Sequence, residues 1–312
     1  MKYNKFTLRN ILAQLLLLAS LLAIMPVGAE QLGDLSLSAR ALDSTIAITT
    51  EARFAGAISS LVFRGKQFVN ADDNGREIQS SVFLDEYGAC DNPTEAGGAY
   101  DKGTRTSSDL LSAGVDGTSL ITRVNMANWL YPNQPFSKGQ CGIHPEQRQA
   151  RNQTVLSGFI LDKKVFLGFK GLTNVINYNV TYEVPEHHET ALFEAVTGYM
   201  PKEFDQHLAY DFDAKAVVPP RTVRGSQDLP IILATDDNQF AMGVYSPDIP
   251  FGVKGYGHDS FRNTEKWNCN FPRRDIAPGK YLFRCFVIVG TVDEVATTMQ
   301  SLFELTGMHR KK

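Results

Sequence analysis

Between residues 75 and 97 the chain concentrates groups that could grip or work on a polar ligand. Arg76 and Gln79 open the stretch, and Asp85, Asn92 and Glu95 follow, while Gly88, Pro93 and Gly97 fix or free the backbone around them. A carboxylate held like Glu95 is suited to general acid or base work, or to accepting hydrogen bonds from sugar hydroxyls. The alternative is a structural carboxylate that caps neighbouring amides. Paired with a second acid such as Asp85, Glu95 would suit glycoside hydrolysis. Arg76 could instead clamp a carboxylate bidentately, or simply pair with Glu77 or Asp73. An anion clamp at Arg76 or Asn92 beside a tyrosine or histidine base would suit lyase chemistry. Arg76 and Gln79 lie three apart, so they share one face only if a bulge or a strand end intervenes.

Further candidates lie outside that stretch. Trp129 and Trp267 are the two tryptophans, both beside polar residues, and either ring could stack on the apolar face of a sugar or pack in the core. Lys266 precedes Trp267 and could reach a substrate carboxylate. Tyr256 and His258 occupy a glycine-rich segment, Gly255-Tyr256-Gly257-His258-Asp259, suited to a site rim, with His258 a proton carrier near neutral pH. His187 and His188 sit in an acidic turn and read as exposed. Convergence of Arg76, Glu95, Trp129, Tyr256 and Lys266 at one end of the fold is the expectation for a site. The zinc-protease, nucleophile-elbow and phosphate-loop motifs are all missing from the sequence. No cofactor and no metal site is expected, although the Asp- and Asn-rich loops leave oxygen-ligand calcium open.

The compartment follows from the N-terminus. Lys2, Lys5 and Arg9 precede an apolar run over 11–25 that closes on Val27-Gly28-Ala29, the pattern of a signal peptide cut after Ala29. That leaves a mature chain of residues 30–312, read as one domain, periplasmic or secreted, with no later segment apolar enough to span a membrane. Net charge is −3 with both signs interspersed, which lacks the footprint of a nucleic-acid binder. Four cysteines in an exported chain suggest disulfides. Cys269 and Cys285 flank the turn Asp275-Ile276-Ala277-Pro278-Gly279 and could face one another across a hairpin, and Cys90 would then pair with Cys141. Free buried cysteines are the alternative.

Strand-like patterns dominate the rest. Apolar and polar residues alternate over 35–50, and Arg64-Gly65 joins two short runs in a hairpin signal. Further strands are expected over 78–84, 119–130, 154–161, 164–169, 175–184, 191–199, 231–234, 240–245 and 281–289, with a long surface excursion over 95–117. One helix is convincing: Thr291-Val292-Asp293-Glu294 matches a capping box, and Val295, Met299, Leu302 and Leu305 follow at helical spacing.

The motifs Gly75-Arg76-Glu77-Ile78-Gln79-Ser80, Ala241-Met242-Gly243-Val244-Tyr245-Ser246-Pro247 and Lys266-Trp267-Asn268-Cys269 occur in an order that resembles the galactose mutarotase-like supersandwich. That superfamily is shared by aldose epimerases and by domains of polysaccharide lyases and glycoside hydrolases. Asn-Pro-Thr-Glu-Ala-Gly at 92–97 is similar to a motif of exported bacterial proteins without an assigned activity. The resemblance implies an all-β, antiparallel two-sheet sandwich with a C-terminal helix, acting on or binding a carbohydrate. Hydrolase, lyase, epimerase and non-catalytic glycan binding all remain open, because the histidine and glutamate contexts of aldose epimerases are not matched.

Overall fold

The computed structural model describes residues 32–306 apart from 104, 137, 138 and 140. The expected signal peptide lies outside the described residues. The chain builds strands in order: β1 (Leu35–Ala41), β2 (Ser44–Thr50), β3 (Ile58–Phe63), β4 (Lys66–Gln67), β5 (Gln79–Leu84), β6 (Pro93–Thr94), β7 (Asp109–Asp116), β8 (Ser119–Asn128), β9 (Leu156–Phe169) and β10 (Leu172–Val184). There follow β11 (His188–Pro201), β12 (Gln206–Asp211), β13 (Ala216–Val218), β14 (Gly225–Gln227), β15 (Ile231–Ala234), β16 (Ala241–Tyr245), β17 (Tyr256–Ser260), β18 (Thr264–Ile276), β19 (Gly279–Gly290) and the helix α1 (Val292–Thr306).

The first four strands make a small sheet, and the other fifteen make one large sheet with β7 hanging from β8. All pairings described are antiparallel. The large sheet doubles back near the two-residue β6, which links β8 to β5. One layer then runs β12-β15-β16-β19-β10-β9-β8 and the other β5-β11-β18-β17, and they meet where β11 touches β10 and β19 and where β18 touches β15 and β16. The main core fills that interface with Val82, Phe193, Phe271, Tyr182, Phe283 and their neighbours. Burying large aromatic and branched side chains here contributes roughly 1.5–3 kcal/mol each.

Several expectations are refined. The pattern over 35–50 is two strands, because Leu42 turns the chain with φ 50°. The excursion over 95–117 contains β7, whose alternation is weak because both its faces are largely exposed. The runs 154–161 and 164–169 are one strand, β9. The capping box forms as expected, with Thr291 N–H donating to Glu294 Oε2 at 2.7 Å and Glu294 N–H to Thr291 Oγ1 at 3.2 Å. The helix buries Val292, Val295, Met299 and Leu302, whereas Leu305 is 42% exposed in the last turn.

Both disulfides form: Cys90–Cys141 and Cys269–Cys285. The hairpin expected for the second does not. β18 pairs with β11 and β17, and β19 pairs with β10 and β16, so Cys269–Cys285 staples the two layers face to face. The turn between them carries the chain from one layer to the other. Cys90–Cys141 fastens the loop between β5 and β6 to the segment at 141–151, around Leu130 and Ala150.

Candidate functional site

A groove of about 470 Å³ runs along the outer face of β5, β11 and β18. Strand alternation supplies its floor: Gln79, Ser81 and Phe83 face the groove, while Ser80 and Val82 turn inward. On β11 the register shifts between Glu194 and Val196, a bulge at Ala195 that brings Glu194 and Thr197 to the same side. Lys266 reaches the groove from β18, and the loops at 73–76 and 89–94 form its walls.

Five of the seven substrate-binding candidates converge here: Arg76, Gln79, Asn92, Trp129 and Lys266. Arg76 precedes β5, so the strand end resolves its three-residue offset from Gln79. Its guanidinium lies 3.3 Å from Asp73 and 4.0 Å from Asp72. Gln79 accepts Ala96 N–H at 3.0 Å and Asn92 donates to Val82 O at 2.9 Å, so both amides also pin the loops. Trp129 is half-buried, with one ring edge against Gly75, whose φ is +111°. A Cβ at residue 75 would come within 2.6 Å of that indole, so glycine is required by both conformation and space.

The sequence reading missed the polar centre of the groove. Glu194 accepts from Ser81 Oγ at 2.7 Å, from Lys266 Nζ at 3.1 Å and from the Asn268 amide. Lys266 Nζ also lies 5.3 Å from the Tyr199 ring. Burial opposes the Lys266 charge, but Glu194 and Tyr199 outweigh it and raise the ammonium above its ordinary pKa. Burial raises the Tyr199 phenol, with Lys266 working against that shift. The available signal was a charged residue inside the apolar run Phe193-Glu194-Ala195-Val196, since a buried carboxylate demands partners.

Five candidates lie elsewhere. Glu95 points into the sandwich and is fully buried in an ion pair with Lys163. Its second oxygen accepts Ser80 N–H at 3.0 Å, and Lys163 donates to Gly56 O at 2.8 Å. Glu95 therefore lies on the inner face in that ion pair, and it does not line the groove. Asp85 bonds His188 Nδ1 and Thr190 N–H, each at 3.0 Å, and does not line the groove. Burial pushes the Asp85 carboxyl up, but those two partners outweigh it and hold it below the usual range. His188, expected to be exposed with His187, is buried by that contact, and the His187 side chain is the exposed one.

Trp267 is 1% exposed and packs against Gly198, where a Cβ would meet the ring at 2.3 Å, so it is a core residue. Tyr256 is buried, its hydroxyl held by Ser246 at 3.1–3.2 Å, and its ring lines a separate cavity of about 420 Å³ bounded by Phe212 and Phe303. His258 lies between the layers. Its Nδ1 is 2.7 Å from His207 Nδ1, His207 Nε2 is 2.8 Å from Glu265, and Lys202 pairs with the same carboxylate. Among the described residues no cluster of His, Cys, Asp and Glu has the arrangement of a metal site.

No family model matches the chain, and no curated protein matches it in sequence. Among solved structures it is similar to a galactose mutarotase related enzyme from Lactobacillus acidophilus, with TM-score 0.43, 12% identity, and 84% of this chain and 99% of that one covered. It is similar to an alpha-mannosidase from Enterococcus faecalis, with TM-score 0.48, 11% identity and coverages of 84% and 30%. A heparan sulfate lyase from Pedobacter heparinus gives TM-score 0.41, 9% identity and coverages of 80% and 33%. The chain spans about a third of the length of these last two enzymes. With every one of these TM-scores below 0.5, the likenesses say nothing about which residues act.

Proposed function

We propose that this chain is an exported glycan-binding protein that seats an oligosaccharide in the groove over β5, β11 and β18. The observation that carries the reading is the composition of the groove: the Trp129, Tyr199 and Phe83 rings stand beside the Gln79 and Asn92 amides and the paired charges Arg76–Asp73 and Lys266–Glu194. Aromatic faces stack on sugar C–H surfaces while amides and charged groups sort hydroxyl orientation. Two disulfides are compatible with an oxidising compartment, and among the described residues no helix is long and apolar enough to cross a membrane.

Binding is favoured over turnover by the resting state of the polar groups. The groove carboxylates, Asp73 and Glu194, are each engaged by a cation, so hydrolysis by this pair would first have to break an ion pair. The ammonium of Lys266 stays charged and the phenol of Tyr199 stays neutral. One observation favours a second reading, lyase chemistry: Arg76 and Tyr199 share the groove, an anion clamp and a potential base. There Tyr199, ionised to the phenolate, would remove the proton next to a uronate carboxylate, a C=C bond would form as the glycosidic C–O bond breaks, and the leaving oxygen would take a proton from water.

Incubating the full chain with acidic and neutral polysaccharides, while following unsaturated products, reducing ends and binding, separates these readings. The proposal expects binding with neither product. Unsaturated product lost in Tyr199→Phe would move the assignment to a lyase, and reducing ends without unsaturation would contradict both readings.

A further inference from the structure

The groove does not end at Glu194. Phe83 lines both it and a second cavity of about 760 Å³, so the two form one trough across β5, β11 and β18. The floor of the second part follows from register: Phe83 lies opposite Leu192, Leu192 opposite Pro272, and Thr190 opposite Arg274. From Lys266 to Arg274 the trough follows eight steps of β18, roughly 26 Å at ~3.3 Å per residue, several times the width of one sugar ring.

Charge is distributed unevenly along it. At the Trp129 end Arg76 is matched by Asp73 and Lys266 by Glu194. At the far end Arg274 meets a single lining acid, Glu86. The Arg273 guanidinium sits 5.7 Å from the Phe271 ring centre and 5.5 Å from that of Phe283, and its Nη1 donates to Pro272 O at 3.0 Å. Those rings belong to the core between the layers, so the Arg273 guanidinium turns to the inner side of β18 and Arg274, opposite Thr190, presents its side chain to the trough. No ion pair is described for Arg274, which is exposed on the trough side.

We propose that the ligand is an anionic oligosaccharide, its sugar rings on the Trp129 platform and a carboxylate or sulfate, several rings further along, on Arg274. This rests on the glycan reading of the groove and adds polarity and length to it. Guanidinium groups recognise both anions through paired N–H donors, so the chemistry is shared between uronate and sulfated chains.

Calorimetric titration of the full chain tests it with uronate, sulfated and neutral oligosaccharides, each as dimers and hexamers. An acidic hexamer should bind about tenfold tighter than a neutral hexamer at low salt, with the advantage shrinking as ionic strength rises. The variant Arg274→Ala should lose that advantage and keep neutral binding, which also shows that it is folded. The uronate and sulfate arms identify the anion, and either one showing the advantage supports the proposal. Equal affinity for acidic and neutral hexamers, or an undiminished advantage in Arg274→Ala, overturns it while the glycan reading stands. Absence of binding to every glycan overturns both.

Discussion

Glu77 is buried beside the groove wall, with Gly75 N–H donating to one carboxyl oxygen at 2.9 Å and no partner on the other. Burial raises its pKa from 4.5 to about 8. The folded state therefore holds a proton that the unfolded chain releases, and stability falls as pH rises from 4.5 towards 8, by up to about 1.4 kcal/mol per pH unit for one proton. Urea midpoints at pH 5 and 8 should show this loss in the native chain and a smaller one in Glu77→Gln. Equal losses would contradict it. The fully buried Glu95–Lys163 pair makes a different prediction. Lys163→Met strands a carboxylate and should cost about 3–5 kcal/mol in chemical denaturation, whereas Glu95→Gln/Lys163→Met should recover much of that. If the double variant is no more stable than Lys163→Met, Glu95 is not the charge that suffers. At this scale the sequence was only partly legible. The loop around Glu95 was conspicuous, but Glu95 follows the inward-facing direction while Gln79 turns outward, a choice fixed by strand register across the sheet.

Among the elements, β17 and β18 meet β12 across the sandwich through the His207–His258 contact. A 2.7 Å Nδ1–Nδ1 separation accommodates one proton, not two. The groups facing the pair are Glu265 and Lys202 on the His207 side, and Thr222 and Asp259 near His258. Burial, then the neighbouring His207, depresses the pKa of His258 below 6.5. The folded state thus binds fewer protons than the unfolded chain, and this contribution is present above pH 6.5 and lost as pH falls. Thermal melts should show a decline below that pH that is diminished in His258→Gln, in the direction opposite to the Glu77 effect. A matching decline in the variant would place the acid sensitivity elsewhere. The Cys269–Cys285 staple joins the same layers, and Cys269→Ser/Cys285→Ser should cost about 3 kcal/mol for a loop of this length, read by urea unfolding. A negligible loss would mean that packing alone holds the layers. Elements whose signal is local were readable: the Arg64-Gly65 turn, the capping box at Thr291 and the alternation of β10. The path from β18 to β19 was not, because a turn flanked by strands looks the same whether it closes a hairpin or crosses between layers.

On the scale of the whole molecule, a sheet that folds over at β6 buries its common inner face and leaves the outer face of β5, β11 and β18 to carry a groove. An all-β reading was accessible from period-two patterning, and Arg76, Gln79, Asn92, Trp129 and Lys266 could be grouped because strand ends collect loops. Glu194, Thr197 and Asn268 escaped because their shared side depends on the bulge at Ala195, which only the partner strand reveals. The two tryptophans make the central claim measurable: Trp129 lines the groove, whereas Trp267 is sealed in the core. Intrinsic fluorescence of the full chain should change on titration with a binding oligosaccharide, and Trp129→Phe should abolish that change. A glycan-dependent signal that persists undiminished in Trp129→Phe, or its absence with every acidic and neutral glycan, would contradict the assignment of this groove as the glycan site.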